Sequence, residues 1–273
     1  MRREPLSPVW ETEAALAADF IAWAAHHGWT AYAETAEWDI LLVRPEDGFQ
    51  IGVEAKLSLN VKVLCQTLEH DHAYGSGTGP DCWAVLVPGA KAVNGLAAIA
   101  RRLGVVIITG WKPETWGRWK GPAFRPALPT VIDSWHDNDE FSHQSWPDRC
   151  PDQRHPLPDW IPDVAAGASG PVKLTTWKVK AIKIAVILQA RGYVTRADFK
   201  ALDIDYRRWI HTWIKPIGEG RWVADPAMPD FRAQHPVNFE QIKADLAKWL
   251  PVTIDLTPLP SLLDAPALAE AGA

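Results

Sequence analysis

The stretch "WDILLVRPEDGFQIGVEAKL", residues 38–57, decides how this chain is read. Two apolar runs flank a polar turn, and each run carries charge: Asp39 in the first, Glu54 and Lys56 in the second. Large and β-branched residues around a Gly-containing turn predict a β-hairpin. A charge inside such a strand is costly unless it is paired or holds a metal. With Asp47-Gly48 as a two-residue turn, opposed residues sum to 95, so Asp39 faces Lys56 and Leu41 faces Glu54. Side chains two apart share a face, which puts Asp39, Glu54 and Lys56 on one side near one end. A one-residue slip would separate them.

Carboxylates held that close repel one another, and a hard divalent cation such as Mg2+ or Mn2+, which takes oxygen ligands, relieves the repulsion. A bound metal lowers the pKa of its water and stabilises charge on a phosphoryl group. A neighbouring lysine orients the water or neutralises developing charge. Together these groups suit phosphodiester hydrolysis. The alternative is a salt bridge from Lys56 to either acid across the sheet.

Outward from the hairpin, Ser7-Pro8 reads as a helix start, with Ser as N-cap and Pro at the first helical position. The helix is expected over 8–27, with Glu13 on the face of Ala17, Phe20 and Ala24 and Glu11 on the opposite side. Strands are expected at 29–34, 38–43, 49–56, 82–89 and 105–110, and helices at 58–74 and 93–104. This order implies an α/β domain over residues 1–115. Residues 116–170, rich in Trp, Pro, Asp and His, read as a linker, part of which packs back on the first domain because exposed tryptophans are costly.

The spacing "WD", then fifteen positions on "VEAK", resembles the D…(D/E)-x-K signature of the PD-(D/E)XK nuclease superfamily, which includes restriction endonucleases and Holliday-junction resolvases. The element order over residues 8–110 resembles its common core. The resemblance implies a restriction-endonuclease-like fold, a mixed sheet flanked by helices. It makes Asp39 and Glu54 metal ligands with the Ala55 carbonyl as a third, and Lys56 the catalytic lysine. Glu13 suits the acid that members carry on the first helix, and Gln66 in "VLCQTL" suits a glutamine on the helix after the motif. The proline that usually precedes the first acid is Trp38 here. The runs Glu54-Ala55-Lys56-Leu57-Ser58-Leu59-Asn60 and Val63-Leu64-Cys65-Gln66 are similar to those of a bacterial family of PD-(D/E)XK phosphodiesterases whose role is unsettled. Members of the superfamily often dimerise to cut both strands, so a homodimer is a further expectation of the resemblance.

Beyond residue 171, helices are expected at 176–192, 196–202 and 205–214, then a hairpin at 215–224 and a helix at 239–250. Three helices and a hairpin is the order of a winged helix-turn-helix, placed over 171–250, with 251–273 a tail. In that fold the last helix enters the major groove and the hairpin touches the DNA backbone. Arg207, Arg208 and His211 would then reach DNA, with Lys215 and Arg221 flanking the wing. A protein-binding winged helix, or a basic face kept wet, is the alternative.

Charge supports two parts. The net charge of −5 advertises no nucleic-acid binding, yet residues 171–222 hold 11 Lys or Arg against 4 Asp or Glu, leaving about −12 elsewhere. Three scattered cysteines argue against a disulfide framework and for a cytoplasmic setting. Neither a signal peptide nor a membrane span is expected, since no apolar run approaches the roughly 18 residues required. The functional expectation is a metal-dependent DNA nuclease delivered by its winged helix. The alternative is a catalytically inactive, nuclease-like DNA-binding regulator or interaction protein.

Overall fold

The hairpin at 38–57 forms, but in a register two residues from the expected one. In the computed structural model, which describes residues 10–69, 77–89, 95–111, 122–130, 146–166 and 173–258, strand β2 (Trp38–Val43) pairs antiparallel with β3 (Gln50–Ala55). Ile40 lies opposite Val53 and Val43 opposite Gln50, so opposed residues sum to 93. The expected two-residue turn at Asp47-Gly48 gives way to a longer loop. Arg44 N–H donates to the Phe49 carbonyl and Gly48 N–H to the Arg44 carbonyl, both at 2.8 Å. The reason lies in the turn's own side chains. Asp47 accepts two bonds from the Arg44 guanidinium and one from Phe49 N–H, and Gly48 takes the left-handed φ of 71°. Arg44 holds the Asp47 carboxyl down to about 2. The shift is by two, so every side chain keeps its expected face.

Strand β1 (Thr30–Thr35) pairs antiparallel with β2. Parallel pairing then runs from β3 to β4 (Cys82–Pro88) and on to β5 (Val105–Trp111), and β6 (Ala123–Arg125) closes the far edge antiparallel to β5. The result is a six-stranded mixed sheet ordered β1-β2-β3-β4-β5-β6. Strands β3 and β4 are buried along their whole length, as parallel strands covered on both faces require.

Helices supply the covers. The helix α1 (Glu13–His26) is capped by Thr12, whose hydroxyl accepts from Ala15 N–H. It starts later than expected, and Ser7-Pro8 lies outside the described residues. Its Leu16, Ala17, Phe20 and Ala24 pack on Ile40, Leu42, Ile51, Val53, Ala84 and Ile108. On the other face, α2 (Val61–Glu69) and α3 (Leu96–Arg102) bring Val63, Leu64 and Ala100 against Leu41, Val43, Trp83, Val85 and Val105. Asn60 caps α2 by accepting from Val63 N–H.

The described parts of 116–170 pack on this sheet. Phe124, Leu128, Trp146 and Ala166 join the α1-side core. Arg154 forms an ion pair with Asp81 and donates to the Asp47 carbonyl, while Gln50 exchanges two hydrogen bonds with the His155 backbone. Arg149 lies over the Trp83 ring at 3.3 Å. The first compact unit accordingly spans Met1–Lys173 and the second Leu174–Ala273.

In the second unit, α4 (Thr176–Arg191) ends at Gly192 with φ 86°. Strand β7 (Val194–Thr195), helix α5 (Arg196–Ala201) and strands β8 (Ile214–Gly218) and β9 (Arg221–Ala224) follow, with sheet order β7-β9-β8. The helix expected at 205–214 is not formed. Only Tyr206–Arg208 make a 3₁₀ turn, and His211 sits at φ 70°. Two competitors win there. Asp205 binds the Arg207 backbone N–H, and Trp209 is drawn into a cluster with Phe199, Trp213 and Phe231. The helix expected at 239–250 is instead α7 (Pro236–Ala244) and α8 (Leu246–Trp249), parted at Asp245, after the short α6 (Phe231–Gln234).

Two substitutions test this packing. A Cβ at Gly52 would stand 2.3 Å from the Trp38 ring, so Gly52→Ala should lose about 1–3 kcal/mol in denaturant unfolding. In the second unit Asp198 is paired with Arg191, both buried, and also accepts from Thr195 N–H. Asp198→Ala leaves that guanidinium without its carboxylate and should cost about 3–5 kcal/mol.

Candidate functional site

Parallel strands β3, β4 and β5 run in one direction, and their carboxyl ends mark the edge of an α/β sheet where ligands are usually held. The Glu54-Ala55-Lys56 run lies at the carboxyl end of β3. Strand β2 runs the opposite way, so its first residues, Trp38 and Asp39, lie at the same end. Continuing the observed register one step sets Asp39 opposite Glu54, rather than opposite Lys56 as the two-residue turn implied. Beyond the end of β3 the Lys56 backbone stays fixed, donating to the Leu86 carbonyl of β4 at 2.9 Å.

The side chains converge on one ammonium. Lys56 Nζ lies 3.0 Å from Asp39 Oδ2, 3.5 Å from Glu13 Oε2 and 3.8 Å from Glu54 Oε2. Asp39 Oδ2 also accepts from Ala55 N–H at 2.9 Å, which locks the first acid to the strand that carries the second. Exposure rises outward, from 4% for the Glu54 side chain through 15% for Asp39 and 20% for Lys56 to 40% for Glu13. Glu54 is thus the floor and Glu13, in the first turn of α1, the rim.

Trp38 and Gly52 set the position of Asp39. The Trp38 indole lies directly over Gly52, where any side chain would collide with it. A bulky ring buried immediately before Asp39 fixes the backbone that carries the acid. The β1–β2 turn beside it, Ala36-Glu37, has both residues at positive φ, 53° and 70°, the geometry of a tight hairpin turn.

Electrostatics fixes the state of the lysine. Burial opposes its charge, yet Asp39, then Glu13 and Glu54, outweigh that and hold the Lys56 ammonium above the ordinary lysine value. At neutral pH it is therefore a cation, able to donate hydrogen bonds and balance charge but not to accept a proton.

Asp39 and Glu54 offer hard oxygen donors, joined by the Ala55 backbone. Among the described residues, no group of three or more His, Cys, Asp or Glu side chains is disposed to share a metal ion, so Glu13 does not join the two acids as a third ligand in this geometry. Gln66, half-buried on α2, makes no hydrogen bond with any of the four.

The expected DNA-contacting residues belong to the second unit, and most have carboxylate partners there. Arg207 pairs with Asp205, Lys215 with Asp225 and Arg221 with Glu219, at 2.9, 2.8 and 3.0 Å. Arg208 and His211 are exposed. Arg196 and Lys200, one helical turn apart on α5, are exposed as well. Sequence reasoning passed them over, although their i,i+4 spacing was the available signal. Among the described residues no helix is long and apolar enough to cross a membrane.

Lys56→Met leaves three acids without their shared cation and should cost on the order of 1–3 kcal/mol near pH 7. The raised value places the stabilisation below the unfolded-state lysine pKa and removes it as pH climbs through the folded value. The difference between wild type and Lys56→Met in urea unfolding should therefore be level from pH 7 to 9 and shrink above about pH 10.5. No protein-family model, no curated protein and no solved structure matches the chain.

Proposed function

We propose that this chain is a metal-dependent nuclease of PD-(D/E)XK type that hydrolyses phosphodiester bonds of DNA. The observation that carries the reading is the convergence of Asp39, Glu54 and Glu13 on the Lys56 ammonium at the carboxyl end of β3. The α-β-β-β-α-β-α-β order and the placement of both acids on adjacent strands support a restriction-endonuclease-like core.

Donor chemistry fits a hard divalent ion. The carboxylates of Asp39 and Glu54, with the Ala55 carbonyl, would hold Mg2+ or Mn2+, and the arrangement already accommodates positive charge in the form of Lys56. Such an ion, when bound, supplies Lewis acidity and a water of lowered pKa. Lys56, kept protonated, donates a hydrogen bond to the attacking water or to a non-bridging phosphate oxygen, and offsets negative charge as it develops there. Glu13 at the rim orients that ammonium. Ala55 N–H holds Asp39 in place, while Gln66 makes no hydrogen bond to these side chains.

The order α4-β7-α5-turn-β8-β9 of the second unit supports DNA targeting by a winged-helix plan in which a 3₁₀ turn stands where the third helix is expected and the β8–β9 hairpin would be the wing. Two observations favour the alternative, a catalytically inactive DNA-binding regulator: Lys56 already pairs with the acids and offsets part of their charge, and no third carboxylate joins Asp39 and Glu54 as a ligand among the described residues.

Incubation of plasmid and single-stranded DNA with the protein and Mg2+ or Mn2+ decides between them. Wild type should cleave, EDTA should abolish cleavage, and Asp39→Asn, Glu54→Gln and Lys56→Ala should each lose about 100-fold or more, with folding checked by thermal melting. Equal cleavage by wild type and Lys56→Ala rejects the site. Salt-sensitive DNA binding without metal-dependent cleavage establishes the alternative.

A further inference from the structure

Most of the cations that a groove-reading helix and its wing would use are already paired within the second unit. Tyr206–Arg208 form a single 3₁₀ turn, roughly 6 Å long at about 2 Å per residue, too short to lie along a major groove about 12 Å wide. Arg207, Lys215 and Arg221 are each held by a carboxylate of the same unit. Among the second unit's described residues, Arg196, Lys200, Arg208 and Lys243 are exposed cations that make no ion pair, and the first two share one helix face.

Several of the unit's arginines lie over aromatic rings, and three of them lie close together in the chain or across the sheet. The Arg196 guanidinium sits 5.0 Å from the centre of the Tyr206 ring, and Tyr206 in turn packs 6.0 Å from Trp222. The Arg221 guanidinium sits 5.1 Å from the Tyr193 ring, whose other neighbour is Arg191 at 4.2 Å. These two sets are adjacent: Thr195 is paired with Arg221 across β7 and β9, and Arg196 follows Thr195 directly. Lys200 lies one turn beyond Arg196 on the same exposed face of α5. The patch therefore combines two guanidinium planes steadied by rings, Arg196 without an ion pair and Arg221 also held by Glu219, with the unpaired Lys200 beside them.

We propose that this patch, centred on Arg196, Lys200, Tyr206 and Arg221, binds single-stranded nucleic acid. The inference rests on reading the second unit as a nucleic-acid-binding module, and it names the form of nucleic acid taken. Guanidinium planes and tyrosine rings stack on base faces, and only unpaired nucleotides present those faces. Arg196 and Lys200 meet the backbone phosphates, as cations without carboxylate partners do at least cost. The residue 205–214 segment contributes Tyr206 as a platform and does not read a groove.

The test is fluorescence anisotropy of the full chain in EDTA, with a labelled mixed-sequence strand of roughly 20 nucleotides and its blunt duplex. The single strand should bind at least about 10-fold more tightly than the duplex. Arg196→Ala/Lys200→Ala should weaken it about 10-fold and reduce the slope of log K against log salt by about 1.4, two phosphate contacts at about 0.7 each. Arg196→Lys should keep the salt slope yet lose affinity, because the charge remains and the plane is gone. Arg232→Ala, whose guanidinium pairs with Glu240, should match wild type, and melting curves confirm that each variant is folded. Equal or tighter duplex binding, an unchanged Arg196→Ala/Lys200→Ala protein, or a larger loss in Arg207→Ala/Arg208→Ala would overturn the proposal. Cleavage with Mg2+ is scored separately on the same preparations. Cleavage without single-strand preference overturns this inference and leaves the nuclease reading standing, and preference without cleavage does the reverse.

Discussion

One ammonium makes the end of this sheet tenable. Asp39 and Glu54 sit side by side on strands that, Gln50 apart, are otherwise apolar, and Glu13 closes over them from α1. Three carboxylates in so small a space would drive the strands apart or take up protons. Lys56 offsets part of that charge and pairs with all three from a backbone position tied to β4. The same requirement explains why the neighbourhood is so firmly built: Trp38 is buried over Gly52, and Asp39 is bonded to Ala55 N–H. Charge that must be held close calls for a rigid frame, and the frame here is two fully buried parallel strands.

Much of the first unit was legible because its signals are local. The run 38–43 is a strand with the expected bounds, and the alternation of Leu41 and Val43 against Ile40 and Leu42 divides cleanly between the two faces of the sheet. The turn was misjudged, since the Arg44–Asp47 pairing that lengthens it involves side chains outside the two-residue pattern. The error left the site intact because a shift of two preserves the faces. Convergence of Glu13 on Lys56 followed from helix phase, whereas the lack of any bond from Gln66 to the acids depends on how α2 is seated, which spacing does not encode.

The segments that resisted reading are those where distant contacts override local preference. "DYRRWIHTWI" has helical spacing, yet Trp209 fits a ring cluster assembled from Phe199, Trp213 and Phe231, and the backbone follows the tryptophan. Residues 123–125 are too few and too plain to announce a strand, but β5 offers an open edge and Phe124 fills a place in the core. Arg154 and Gln50 tie down a polar stretch by bonds to Asp81 and the His155 backbone that no periodicity reveals. Charge partners escaped notice for a different reason, since they are local but follow no helical or strand spacing: Arg207, Lys215 and Arg221 read as free cations until Asp205, Asp225 and Glu219 are seen beside them.

The central claim is that Asp39 and Glu54 form a seat for a hard divalent ion beside a protonated Lys56. A crystal structure of the protein soaked in Mn2+, with anomalous scattering recorded at the manganese edge, tests it most directly. A manganese peak bound by one oxygen of each acid and by the Ala55 carbonyl is the expected result. A map with no peak there at saturating Mn2+, and Lys56 still bridging all three carboxylates, would contradict it.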